Sequence, residues 1–407
     1  MSEESGIEPV EAWIIAVLLW LAVGGTTAYE IAPASVLSVV AGDLNVGSTG
    51  VSWLVSIYLL GMAVFSIPSG LALDRIDNRH AIAGFGLLFT LTTVGAGIAA
   101  EAGAFWAVGA LRFVGGCVTV FLWTAAVNVV GSAFAQRRQG TGLGFLSTSI
   151  PGGFAVAHVS APLLDSWIGW ELGFLAFGGV TALSAVALWI YARGFDLRTS
   201  LETPTRSEFL RVLANRWVWV VGALAFIGFA LNIFFNNWLP TFLVDQYDLS
   251  LAEGGLFAAV FPAIGAVARL LSGAVSDRLL GGRRKPIVFG SFVVIAPIIV
   301  LVTGIRTLAV LVVALVVAGF ATQMGLALLF PYVRELVAEN VASTALSVLN
   351  VVGFGGAFVT PILTGALIDW TGTFSAAFLY ATALAVLGVG LSWMTPEPGG
   401  TGALTEG

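Results

Sequence analysis

SGLALDR, residues 69–75, returns as SGAVSDR at residues 272–278. Ser69, Gly70, Asp74 and Arg75 match Ser272, Gly273, Asp277 and Arg278 at a constant offset of 203. The same offset carries Gly152 and Gly153 onto Gly355 and Gly356, far along the chain. Two separated blocks in one register argue for a duplicated unit. The natural boundary is GFDLRTSLETPTRSEFLRVLAN (194–215), the longest polar stretch in the sequence.

Composition decides what the unit is made of. The chain is 58% hydrophobic and 10% charged, where a soluble domain carries about 25% charged residues. A mean hydropathy of +0.98 over 407 residues cannot describe a water-soluble globule. Apolar runs, each long enough to cross a hydrocarbon core about 30 Å thick, occupy twelve stretches: 12–41, 49–73, 79–100, 104–131, 139–164, 170–193, 216–243, 251–275, 284–304, 307–333, 341–367 and 374–395. Six precede the polar boundary and six follow it. The expected fold is all-α, with twelve transmembrane helices in two pseudo-symmetric six-helix bundles. The expected domains are 1–193, a cytoplasmic linker 194–215, and 216–407 with a short polar tail. Residues 1–12 carry Glu3, Glu4, Glu8 and Glu11 and no Lys or Arg, so the first run is expected to be a span, not a cleaved signal peptide.

Basic residues orient the spans. With the N-terminus inside, fourteen of the seventeen Lys and Arg fall in cytoplasmic connections, Arg306 alone lies on the other side, and Arg112 and Arg269 lie within spans. That bias predicts a plasma-membrane protein with both termini cytoplasmic. Trp13, Trp167, Trp170 and Trp393, near span ends, are expected interface anchors. The single Cys117 excludes an intramolecular disulfide and any multi-cysteine metal site. The connections are too short for a catalytic domain, and no phosphate-cradling loop, Ser/His/Asp set or metal cluster is present. No enzymatic activity, cofactor, metal or nucleic-acid partner is expected; the partners are the bilayer, a small-molecule substrate and protons, with the chain a monomer.

GLALDRIDNRHAI (70–82) and GAVSDRLLGGRRKPI (273–287) resemble the two copies of the signature loop of the major facilitator superfamily, which joins spans 2 and 3 and spans 8 and 9. The second copy keeps the pattern, with Gly281, Gly282, Arg283 and Arg284; in the first, Asp77 and Asn78 stand where Gly and a basic residue are usual. The resemblance covers essentially the whole chain. It implies alternating access between two halves, with Gly70, Asp74, Arg75, Arg79, Gly273, Asp277, Arg278, Arg283 and Arg284 forming gating loops. Asp74 would face span 11 and Asp277 span 5 in one gating state, and Gly70 and Gly273 would allow close helix approach there. Both Asp residues lie at helix C-termini, where the dipole disfavours them, so each needs a nearby cation.

Inside the bilayer, a few polar side chains remain to be explained. Glu30 and Arg112 fall at similar depths on spans 1 and 4, which the resemblance makes cavity-lining helices, and intramembrane ionisable residues usually pair and mark ion or substrate paths. They are plausible partners. If Arg112 were drawn away, desolvation would favour protonation of Glu30, which would couple transport to protons. The alternatives are a pair that only locks two helices, or no contact. His158, on span 5 at the same level, is a candidate proton relay or a packed neutral ring. Asn232 and Asn236 share a face of span 7, with Asn237 beside them; Gln323 and Tyr332 lie on span 10. With Arg112 these form the candidate substrate site. Arg269, near the cytoplasmic end of span 8, is expected to be structural and to snorkel; His80 is expected to be solvated.

The expected function is a secondary transporter of a small polar or anionic organic solute, by proton-coupled symport. A proton/drug antiporter and a non-transporting receptor of the same fold are the alternatives.

Overall fold

The computed structural model describes residues 7–73, 76–195, 197, 206–338 and 341–397. Asp74 and Arg75 of the first signature loop, and most of the polar boundary, lie outside the described residues. Everything regular among those described is helical, as lipid requires, because a helix satisfies its own backbone hydrogen bonds.

The first six crossings are α1 (Pro9–Ser35) with the short continuation α2 (Leu37–Asp43), α3 (Ser48–Leu73), α4 (Asn78–Glu101), α5 (Phe105–Ala133), the pair α6 (Gln139–Ser147) and α7 (Ser149–Ile168), and α8 (Trp170–Tyr191). A short amphipathic helix, α9 (Arg206–Ala214), follows. The second six are α10 (Arg216–Tyr247), the pair α11 (Leu251–Ala258) and α12 (Val260–Ala274), α13 (Lys285–Val302), α14 (Leu308–Glu335), α15 (Ala342–Thr371) and α16 (Ser375–Met394). Eleven of these crossings, among the described residues, are long and apolar enough to span a membrane by themselves. The fifth is the exception: α6 and α7 meet at Thr148, and α7 carries Ser149, Gly152, Gly153, His158 and Pro162, which dilute its hydropathy.

Several helix starts are set locally. Ser250 caps α11, accepting from the Glu253 amide at 3.3 Å while its own amide donates to the Glu253 carboxylate at 2.9 Å, a reciprocal pair that satisfies two otherwise orphaned donors. Asp77 caps α4 by accepting from the Arg79 amide at 2.9 Å.

Since lipid is as apolar as the side chains, tight van der Waals contact between small residues has to hold the helices together. The duplicated glycines show how. A Cβ on Gly153 of α7 would collide with Thr27 and the Gly24 carbonyl of α1; a Cβ on Gly356 of α15 would collide with the Phe226 carbonyl of α10. Equivalent glycines thus make equivalent crossings in the two halves.

The start of α1 and the end of α16 lie on one side, here the terminal face; the other is the far face. The halves meet mainly through α3 with α15, α7 with α11 and α12, and α1 with α10. One apolar core runs through both halves and includes Val51, Leu54, Phe235, Leu239 and Ala357. Near the terminal face, the first half has a separate core of its own, with Leu19, Leu122, Val129 and Leu188.

Candidate functional site

Pro33 sits inside α1. Its nitrogen carries no hydrogen, so the Tyr29 carbonyl one turn earlier has no partner in its own helix. Arg112 of α5 fills that vacancy. Its guanidinium donates to the Tyr29 carbonyl at 3.2 Å, the Glu30 carbonyl at 2.7 Å and the Leu54 carbonyl at 2.7 Å. It also lies over the Tyr29 and Tyr58 rings, 4.7 and 5.5 Å from their centroids. The fork geometry of arginine suits one cation serving carbonyls on two helices.

The expected Glu30–Arg112 contact is therefore real at the backbone and absent between the charges. Among the described residues the Glu30 carboxylate joins no ion pair or hydrogen bond, although the residue is only 3% exposed. The physical reason is that each of the three guanidinium nitrogens of Arg112 is already engaged with a carbonyl. Both residues lie on the far-face side of their helices. Glu30 is eight residues past the middle of α1 and Arg112 seven before the middle of α5, about 12 and 10 Å along those helices from their middles.

A second cluster of polar groups lies near the middle of the second half. Asn236 donates to the Asn232 carbonyl and side-chain oxygen at 2.8 and 3.2 Å. Gln323 donates to the same Asn232 side-chain oxygen at 2.7 Å. Arg269 Nε donates to Gln323 Oε1 at 2.8 Å, and its Nη1 to the Ser147 carbonyl of the first half at 3.1 Å. Gly265, one turn before Arg269 on α12, makes room for the Gln323 side chain, which a Cβ there would hit.

Arg269 differs from the expectation in its direction: it does not snorkel but turns inward, because Gln323 and an α6 carbonyl offer it partners. It is half-buried, and among the described residues no carboxylate pairs with it. A guanidinium in that setting, with one amino group uncommitted, is suited to a bidentate bond with a solute carboxylate.

His158 bridges the halves. Its Nδ1 lies 2.7 Å from Ser35 Oγ on α1 and its Nε2 3.2 Å from Asn236 Oδ1 on α10. Among the described residues no hydrogen bond joins it to Glu30. Asn237 donates to Ser52 Oγ of α3 at 3.4 Å. Asp369, near the end of α15, accepts from the Thr49 amide at 3.0 Å and hydroxyl at 2.5 Å. All three links lie towards the far face. Sequence reading missed Ser35, Ser52, Thr49 and Asp369, since single small polar residues near span ends carry no signal without a partner in view.

Other expectations fall outside this cluster. The Tyr332 hydroxyl donates to the Pro396 carbonyl at 2.8 Å, holding the C-terminal segment near the terminal face, not a solute. Trp170 is buried and donates to Asp43 at 2.8 Å, so it is a packing residue and not an exposed anchor. Trp167 and Trp393 are exposed, and His80 is exposed beside Asp77. A cavity of about 450 Å³ between α12, α13 and α14 is lined by Ile264, Val294, Phe320, Met324 and similar residues with no charge.

In the signature loops, the close approach expected at Gly70 and Gly273 is not made: a Cβ at either would meet nothing within 4 Å. Asp277 does not reach α6 or α7 but pairs with Arg284 at 2.6 Å, which also holds Glu335 at 3.0 Å. Burial alone would lower the Arg284 pKa, but the hydrogen bonds to Glu335 and Asp277 outweigh it and hold the guanidinium above its usual range. Arg283 lies 3.7 Å from Glu397, Arg79 lies 3.8 Å from Asp77, and Arg278 is exposed.

The family model described as Major Facilitator Superfamily matches residues 13–361. The chain belongs to the Major Facilitator Superfamily. Among its relatives is the probable galactarate/D-glucarate transporter GudP of Bacillus subtilis, 25% identical, with 93% of this chain and 90% of that one covered. The Bacillus subtilis hexuronate transporter is 25% identical over 84% of this chain and 85% of its own, and the probable L-galactonate transporter of Escherichia coli 24% identical over 83% and 79%. A bacterial homologue of the human lysosomal transporter Spinster, solved inward-facing and occupied, superimposes with a TM-score of 0.76 at 15% identity, covering 96% of this superfamily member and 97% of its own chain. At that identity the likeness concerns the fold.

Proposed function

We propose that this protein is a secondary transporter that carries a small sugar acid across the plasma membrane by alternating access of residues 1–193 against 216–407, coupled to protons in symport. The observation that carries the reading is Arg269: a half-buried guanidinium in the membrane interior, hydrogen-bonded to the neutral amide Gln323 and paired with no carboxylate among the described residues. An unpaired charge at such depth costs several kcal/mol, and such residues mark substrate paths. A solute carboxylate would pair with it, and the uncharged Asn232 and Gln323 beside it suit the hydroxyls of a sugar. That several relatives are named for hexuronate, galactarate or galactonate supports the same chemistry. Arg112, already engaged with three carbonyls, is a scaffold for α1, not the substrate ligand.

Glu30 is the proton site in this reading. A carboxylate without a counter-ion in a buried site is costly to keep ionised, and taking up a proton removes that cost. The far face is the closed, extracellular one and the terminal face the open, cytoplasmic one.

The test is uptake of radiolabelled glucuronate and galactarate, with glucose as the neutral control, into proteoliposomes carrying a pH-sensitive dye. Both acids should enter with protons and glucose should not. Arg269→Gln should reduce uptake by about tenfold or more, while Glu30→Gln should leave the protein folded and binding but uncouple solute from proton movement. Transport of neither acid, or movement of protons only against lipophilic cations, would sink the proposal.

A further inference from the structure

His158 is wholly buried on α7 and touches a helix on each side. Asn236 commits its amide nitrogen to Asn232, so its oxygen is the end facing His158. The ring then donates from Nε2 to Asn236 and accepts at Nδ1 from the Ser35 hydroxyl. The main chain is arranged to match. Pro162, four residues on, has no N–H, so the His158 carbonyl lacks a partner in its own helix. That carbonyl faces Gly255 of α11, where a Cβ would collide with it. His158 therefore meets the second half twice, through its ring at α10 and through its backbone at α11.

From the ring, one unbroken polar route leads inward: Asn236 to Asn232, Asn232 to Gln323, Gln323 to Arg269. Every link is a hydrogen bond between side chains, and Asn232 Oδ1 accepts from both neighbours. Opening the far face would separate α7 from α10 and leave the Asn236 oxygen without its donor. Its amide would then be held from the Asn232 side alone, and Asn232 and Gln323 would lose one restraint on the arrangement that fixes Arg269. A contact present in one state and absent in the other is what couples two sites.

We infer that His158 is a positioning residue: by holding Asn236 it latches the far face and orients, through the amide chain, the guanidinium that receives the anion. Nothing in this requires the histidine to change charge. The latch stands on geometry alone; its link to anion affinity rests on the sugar-acid reading proposed above.

The experiment uses the full-length protein in proteoliposomes, with Cys117→Ala removing the native thiol and Ser52→Cys supplying a reporter on α3. Ser52 is fully buried at the far-face junction, so a membrane-impermeant maleimide reaches the reporter only when that face opens. His158→Ala and Asn236→Ala, which break the same bond from opposite halves, should each speed labelling about fivefold, the range expected for one interhelical hydrogen bond. His158→Gln, which can still donate to Asn236, should restore the slow rate. In the same proteins the KM for glucuronate should rise with both alanine substitutions and return with glutamine, while the maximal rate moves less.

Unchanged labelling in both alanine variants overturns the latch, whatever transport does. So does fast labelling in His158→Gln equal to that of His158→Ala, since ring volume and not the hydrogen bond would then matter. Faster labelling with an unchanged KM overturns the link to Arg269. If the unmodified protein moves no sugar acid at all, the functional reading fails, and the labelling rates still decide the latch by themselves.

Discussion

Arg112 and Pro33 act as one unit, although they lie on different helices. The proline leaves the Tyr29 carbonyl bare and the arginine covers it, together with the Glu30 and Leu54 carbonyls. A lysine offers no fork and cannot reach three carbonyls on two helices. Arg112→Lys should therefore destabilise the protein by about 2 kcal/mol, the cost of leaving buried acceptors unpaired. Pro33→Ala restores an N–H to the Tyr29 carbonyl, so in the Arg112→Lys background it should recover about 1 kcal/mol. In the native background, where the carbonyl is already served, it should have little effect. Thermal unfolding of the four detergent-solubilised proteins measures this cycle; additive effects would mean that the proline and arginine are unrelated. The depth match of Glu30 and Arg112 was legible in sequence because helical rise is fixed. The bond actually formed was not, since hydropathy does not reveal that a proline frees a carbonyl for the neighbouring helix. The direction of Arg269 was not legible for a related reason: it depends on Gly265 leaving room for Gln323, a contact between helices far apart in sequence.

At the scale of the helix, a glycine's role depends on which neighbour it faces. Gly153 and Gly356 lie against backbone or short side chains that cannot move aside, whereas Gly70 and Gly273 face open space. Gly356→Ala should lower stability by about 1–3 kcal/mol, as overpacking does, and Gly153→Ala should do the same by the repeat. Gly70→Ala and Gly273→Ala should be neutral or slightly stabilising, since alanine favours helix over glycine by up to about 1 kcal/mol. Those two should nonetheless slow transport if the other access state brings the glycine faces together. Thermal stability and uptake rate, compared across the four variants, separate a packing glycine from one used only during the cycle. Equal loss of stability in all four would show that the signature loops are already packed. Elements were read well from sequence where they were long and apolar. The breaks at Thr148 and Ala259 were missed, because a short interruption inside an apolar run leaves the hydropathy almost unchanged.

Over the whole molecule, the two faces hold different kinds of bond. On the terminal face the charges of the second signature loop pair within their own half: Asp277, Arg284, Glu335 and Glu397 are all C-terminal to the boundary. On the far face the bonds cross between halves, and Asp369 with Thr49 is the most polar of them. The Asp369 carboxylate sits at the N-terminus of α3, where free amides and the helix dipole favour a negative charge. It caps a helix of the other half, so its contribution exists only while the far face is shut. Losing a helix cap costs about 1 kcal/mol, enough to shift a two-state ratio about fivefold. Asp369→Ala should therefore move the population towards far-face opening. Spin labels introduced by Trp106→Cys and Trp370→Cys, both exposed near that face and one in each half, with Cys117→Ala, would report a longer distance gaining weight. Glu335→Gln should lower thermal stability by weakening the Arg284 cluster yet leave that distance distribution unchanged. If both substitutions shift the distribution alike, closure is not borne by the cross-half bonds but by the whole packed interface. If neither does, the apolar contact of α3 with α15 holds the far face without its polar edge.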